Sequence, residues 1–183
     1  MRTLTSLLLI VASIGFAQPP LTPQATAVAV AIEKEFPGAT IVTGADVDSS
    51  ECGPASSSPG FVQAEFDGDG GADFAALVNA GATGKVVDWQ GKHLKETRYV
   101  LALFRAKQTG GFTVTRLNRF VQFWPVAAYI ELQGAGKLEG EGDAHRGAGV
   151  MLQNPGVSLV FCEKSAVVYY VSDHRVHEVW VGD

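Results

Sequence analysis

The segment from Glu65 to Val78 reads EFDGDGGADFAALV and carries the clearest chemistry in the chain. Glu65, Asp67 and Asp69 occupy alternate positions, so their carboxylates converge only if the backbone curls around a common centre. Gly70, sixth in such a loop, permits the left-handed turn that other residues resist. Gly71, seventh, offers a backbone carbonyl, and Asp73, ninth, binds directly or through water. This is the layout of an oxygen-ligand Ca²⁺ loop, in which a hard cation gathers six to eight oxygens at roughly 2.3–2.6 Å. The candidate ligands are therefore Glu65, Asp67, Asp69, Gly71 and Asp73, and the cofactor is Ca²⁺. The competing reading is a plain hairpin turn, in which the Asp side chains bond to nearby backbone.

The segment is not a helix-loop-helix Ca²⁺ site. Such a site opens on Asp and closes on a bidentate Glu at the twelfth position, whereas here those positions hold Glu65 and Ala76. Phe74–Val78 also has the composition of a strand. The stretch resembles the loop of the FG-GAP and VCBS-like secreted repeats, where an Asp-x-Asp/Asn-x-Asp-Gly-x-x-Asp loop joins two antiparallel strands and binds Ca²⁺. By position, that resemblance implies ligation by Glu65, Asp67, Asp69, the Gly71 carbonyl and Asp73. FG-GAP propellers repeat the loop in every blade, while this chain holds one clear copy, so the loop is implied and the propeller is not. The whole chain is also similar to small exported bacterial proteins that contain a single such loop.

Export follows from the first residues. Arg2, the apolar run Leu7–Ile14 and the small-residue site Gly15–Ala17 make residues 1–17 a signal peptide, leaving 18–183 as one domain. Its apolar core is too short to span a bilayer, so the expected product is periplasmic or secreted, with no membrane insertion. Removing the leader takes away Arg2 and leaves 13 basic against 19 acidic residues. That acidic balance disfavours nucleic acid and suits cations or a basic protein partner. Cys52 and Cys162 are the two cysteines of the chain, and in an oxidising compartment an even count points to a disulfide between them.

The elements that must position this loop are mostly strands. Thr22-Pro23 reads as a helix start, and Ala25, Val28, Ala29, Ile32 and Phe36 form a stripe at helical spacing. Pro37-Gly38 stops the helix. Strands are expected at 39–43, 61–65 and 74–78. The run 98–105 is apolar on both faces, as a doubly buried strand would be, and it forms a hairpin with 112–117. Residues 85–95 read as a polar link. Further strands are expected at 120–124 and 127–132, followed by a meander at 157–162, 166–171 and 176–181. Alternating acids at 139, 141 and 143 sit in a Gly-rich loop. The expected fold class is α+β, with the N-terminal helix packed on a mostly antiparallel β-sheet.

No His-Glu-x-x-His, Gly-x-Ser-x-Gly or phosphate-binding loop occurs in the sequence, so no catalytic motif supports an enzyme. The leading expectation is an exported non-enzymatic module whose Ca²⁺-binding loop rigidifies a β-hairpin for structural or binding use. The alternative is an acidic inhibitor or immunity-type module that binds a basic partner by electrostatic complementarity, with the loop a plain turn. A hydrolase, third in order, requires a pocket joining a carboxylate to a histidine.

Overall fold

The computed structural model describes residues 23–53, 58–89, 91–139, 149–162 and 164–181. Residues 1–17, expected as a signal peptide, and the acidic positions 141 and 143 lie outside these residues. In chain order the elements are α1 (Pro23–Glu35), β1 (Thr40–Ile41), α2 (Ser49–Cys52), β2 (Phe61–Ala64), β3 (Asp73–Trp89), β4 (Lys92–Ala106), β5 (Phe112–Phe123), β6 (Ala128–Gln133), β7 (Gly136–Leu138), β8 (Val150–Leu152), β9 (Gly156–Phe161), β10 (Ser165–Ser172) and β11 (Arg175–Val181).

The expected α+β class is corrected. Strand accounts for 60% of the structure and helix for 10%, which makes this a β-rich fold with two short helices attached. One sheet has five strands in the order β1-β3-β4-β5, with β2 also paired to β3; a second has four, in the order β11-β10-β9-β6. β7 and β8 form a separate ribbon. Every pairing between these strands is antiparallel.

The residue pattern of β3 and β4 explains the layering. Successive side chains of a strand point to opposite faces, and here both faces are apolar. Ala75, Leu77, Tyr99, Leu101 and Leu103 join Ile130, Leu159, Val167 and Tyr169 in the core between the two large sheets. Phe74, Ala76, Val78, Ala102 and Phe104 form a second core on the opposite face, with Val28, Ile32 and Phe36. Phe74 stacks on Phe104 at 4.4 Å between ring centroids, the separation of a strong aromatic contact. A stripe spaced four residues apart thus suffices for α1, and Ala29, expected within it, is exposed.

The expected polar link at 85–95 is instead the continuation of one hairpin. β3 and β4 pair as far as Trp89 and Lys92. Most of this extension is exposed, Val86 at 55% among its residues, so it lacks the inside–outside alternation that marks a strand in sequence. The three C-terminal strands lie where the meander was expected, as β9, β10 and β11.

Cys52 and Cys162 are joined by a disulfide with their Cα atoms 5.0 Å apart and 110 residues of separation. The bond ties the end of α2 to the chain just beyond β9. In the chain-entropy account a closed loop of this length contributes roughly 4–5 kcal/mol. The Cys52→Ala/Cys162→Ala double variant is expected to lose about that much, measured as a lower urea midpoint than the oxidised protein. An unchanged midpoint would mean that the bond does not constrain the unfolded chain.

Candidate metal centre

The acidic loop lies between β2 and β3, which pair antiparallel up to Ala64 and Asp73. Gly68 and Gly70 both have φ of 81°, the left-handed region where a side chain is strained. Gly71 is small for another reason: a Cβ there would lie 3.1 Å from the Cβ of Ala106. The loop therefore rests closely on the end of β4.

The side chains divide into three kinds of work. Glu65 folds back over the turn, its Oε1 accepting from the N–H of Gly68 and, at 3.1 Å, from that of Asp69. Asp69 is exposed, and its Oδ1 accepts from the N–H of Gly71 at 2.6 Å, an Asx-type turn. Asp73 is fully buried and bridges two segments. Its Oδ2 accepts from the N–H of Phe66 at 3.1 Å and its Oδ1 from the N–H of Ala106 at 2.7 Å. Phe66, between two acidic residues in sequence, is 1% exposed and belongs to the core between the sheets.

Glu65, Asp67 and Asp73 each bring a carboxylate oxygen to within 4.8 Å of the others, and this triad could hold a metal ion. Asp69 is outside the triad. Gly71 sits between Asp69 and Ala106, its N–H engaged by the Asp69 carboxylate. Two neighbours were not legible as part of the site. Arg105 sets its Nη1 3.6 Å from Asp67 Oδ2, and its buried Nε has no hydrogen-bond partner among the described residues. Asn154 faces the loop, where its Nδ2 would lie 3.2 Å from a Cβ placed on Gly68. The signal for Arg105 was its position at the end of the apolar run 98–105, where a charge on a buried strand calls for a partner.

The Asp73 carboxyl is pushed above its ordinary value of 3.8, by burial first and also by the negative charges of Asp67 and Asp69; the bonds from Ala106 and Phe66 oppose the rise. Crowded carboxylates disfavour one another's ionisation, and a cation among them reverses that preference.

No protein-family model, no curated protein and no solved structure matches this chain.

An Asn at position 73 offers one acceptor oxygen where the carboxylate offers two, which leaves a buried N–H without a partner. Asp73→Asn is expected to destabilise the protein by about 1–3 kcal/mol, while Asp69→Asn, at an exposed turn, changes stability by about 0.5 kcal/mol or less. The raised pKa also fixes a pH dependence. Its stabilising contribution is complete below the unfolded value and is lost as pH rises through the folded one. In metal-free buffer, the stability advantage of the unmutated protein over Asp73→Asn should therefore grow from neutral pH toward 3.8. Urea midpoints of the two proteins across that range measure it; an advantage that shrinks toward acid would contradict this account.

Proposed function

We propose that the protein is an exported, non-enzymatic module that holds one Ca²⁺ in the loop between β2 and β3. Glu65, Asp67 and Asp73 supply the charged ligands, and Asp69 and the Gly71 carbonyl complete the shell directly or through water. The ion stiffens the β2–β3 hairpin for structural or binding use. Without it, like charges repel and the loop loosens.

The observation that carries this reading is the approach of three carboxylates to within 4.8 Å. Oxygens bound to a common Ca²⁺ at roughly 2.3–2.6 Å are separated by at most about 5.2 Å, so one ion can reach all three. Charge supports the same reading. When the triad is ionised, Arg105 offsets one of its three charges and leaves two, the charge of one divalent cation. Antiparallel strands on either side of the loop are also what the FG-GAP resemblance implies. Export draws its support from the leader pattern of residues 1–17 and from the disulfide, which suits an oxidising compartment. No helix among the described residues is long and apolar enough to cross a membrane.

Calorimetric titration of the protein lacking residues 1–17 should give saturable Ca²⁺ binding with a raised melting temperature. At a hundredfold excess over the dissociation constant, linkage predicts stabilisation of about 2.7 kcal/mol. Asp67→Asn and Glu65→Gln should lose most of both signals, and Asp69→Asn much less. Absence of heat and of thermal stabilisation in the unmutated protein would leave the loop as a plain turn.

Arg105 supplies an independent check. Removing the guanidinium leaves the carboxylates without their fixed counter-ion. Arg105→Gln is therefore expected to lose about 1–3 kcal/mol in metal-free buffer and to show a larger Ca²⁺-induced rise in melting temperature than the unmutated protein. An equal rise in both proteins would separate Arg105 from the ion site.

A further inference from the structure

A groove of about 610 Å³ lies on the far side of the five-stranded sheet from the inter-sheet core, between α1 and the start of β5. Its walls are largely apolar, formed by Val30 and Ala31 of the helix and Phe112 and Val114 of the strand. Val30 is 62% exposed, an unusual state for a β-branched side chain that faces a concavity. The size falls within the ordinary range of small-molecule sites, and such sites pair apolar walls with a few fixed polar groups.

The polar groups here carry a definite sign. Lys34 and Lys107 line the groove, from the last turn of α1 and from the chain after β4. Among the described residues, neither ammonium has an ion-pair or hydrogen-bond partner. The one acid in the lining, Glu35, is engaged at 2.8 Å by Arg116, which also lies over the Phe36 ring at 5.2 Å from its centroid. On a chain of net charge −5, this leaves a local excess of positive charge beside a trough of apolar surface. Lysine stems can lie along such surface while their heads remain free to meet an anion.

We infer that this groove binds a free amphiphilic anion, a monocarboxylate with an apolar chain of the fatty-acid type. The chain lies on Val30, Phe112 and Val114, and the carboxylate meets Lys34 and Lys107. A cationic amphiphile would face the same ammoniums and be repelled. The site is separate from the acidic loop and does not require the loop to bind an ion.

Calorimetry with decanoate below its micelle concentration tests the inference, with decyltrimethylammonium and decanol as controls. Saturable one-to-one binding of decanoate is expected, at least tenfold tighter than binding of either control. The surface variant Lys34→Glu/Lys107→Glu should weaken decanoate binding tenfold or more while its melting temperature stays within a few degrees. Val30→Asp should weaken it as well. Failure of decanoate to bind, equal affinity for the cationic or neutral amphiphile, or indifference to the lysine substitutions would overturn the inference. So would sedimentation showing a Val30-dependent dimer, which would make a second copy the occupant. Capture by anionic vesicles without binding of monomeric decanoate would overturn it in favour of a membrane surface.

Discussion

The buried carboxylate of Asp73 is the constraint on which the acidic loop depends. It starts β3 and holds two backbone amides, that of Phe66 within the loop and that of Ala106 at the end of β4. A backbone N–H removed from water needs a partner, and one side chain supplies two of them. The loop cannot then swing away from the sheet without exposing Phe66, which is part of the main core. The same constraint draws Asp67 toward Arg105 and leaves Glu65 over the turn. So folded, the turn brings carboxylate oxygens of Glu65, Asp67 and Asp73 together, while Asp69 stays exposed. Burial first, and then the charges of Asp67 and Asp69, push the Asp73 carboxyl upward, and a divalent cation among the carboxylates would oppose that rise.

This arrangement is built on strands that are buried on both faces. Fully burying a side chain such as Leu77 or Phe104 contributes about 1.5–3 kcal/mol, and β3 and β4 do so toward both neighbouring layers. The second sheet covers one face and α1 the other. The disulfide closes the arrangement from a distance, fixing α2 to the end of β9. Asp73 and Arg105 thus stand at the ends of the doubly buried segments of β3 and β4.

Much of the strand pattern was legible because burial leaves a record in residue order. β9 to β11 are short runs rich in Val and Tyr separated by hairpin-length turns, and the run ending at Arg105 is apolar on both faces. The class was misjudged because one amphipathic helix at the start was weighed as a layer equal to the sheets. The outer half of the β3–β4 hairpin was missed for a physical reason: it is largely exposed, with the paired Val87 and Leu94 half-buried, and so carries little alternation to read. In the loop, spacing put Glu65, Asp67, Asp69 and Asp73 in one candidate ligand set; Glu65, Asp67 and Asp73 do meet, whereas Asp69, expected to converge with the first two, lies outside the triad. Spacing did not reveal that Asp73 also serves as an internal acceptor for two backbone amides. The end of the apolar run marked Arg105 as a charge in need of a partner, but its partner Asp67 lies 38 residues away in sequence and meets it only in the folded structure.

The central claim is that a divalent cation settles among the carboxylates that Asp73 holds together. Its most direct test is a Ca²⁺ titration followed by amide resonances of the isotope-labelled protein. The account predicts saturable shifts that centre on Gly68, Asp69 and Gly71 and reach Ala106 through the Asp73 carboxylate, with the amides of β10 and β11 unmoved. Loop amides that stay in place at saturating Ca²⁺, or shifts scattered evenly over the acidic surface, would contradict it.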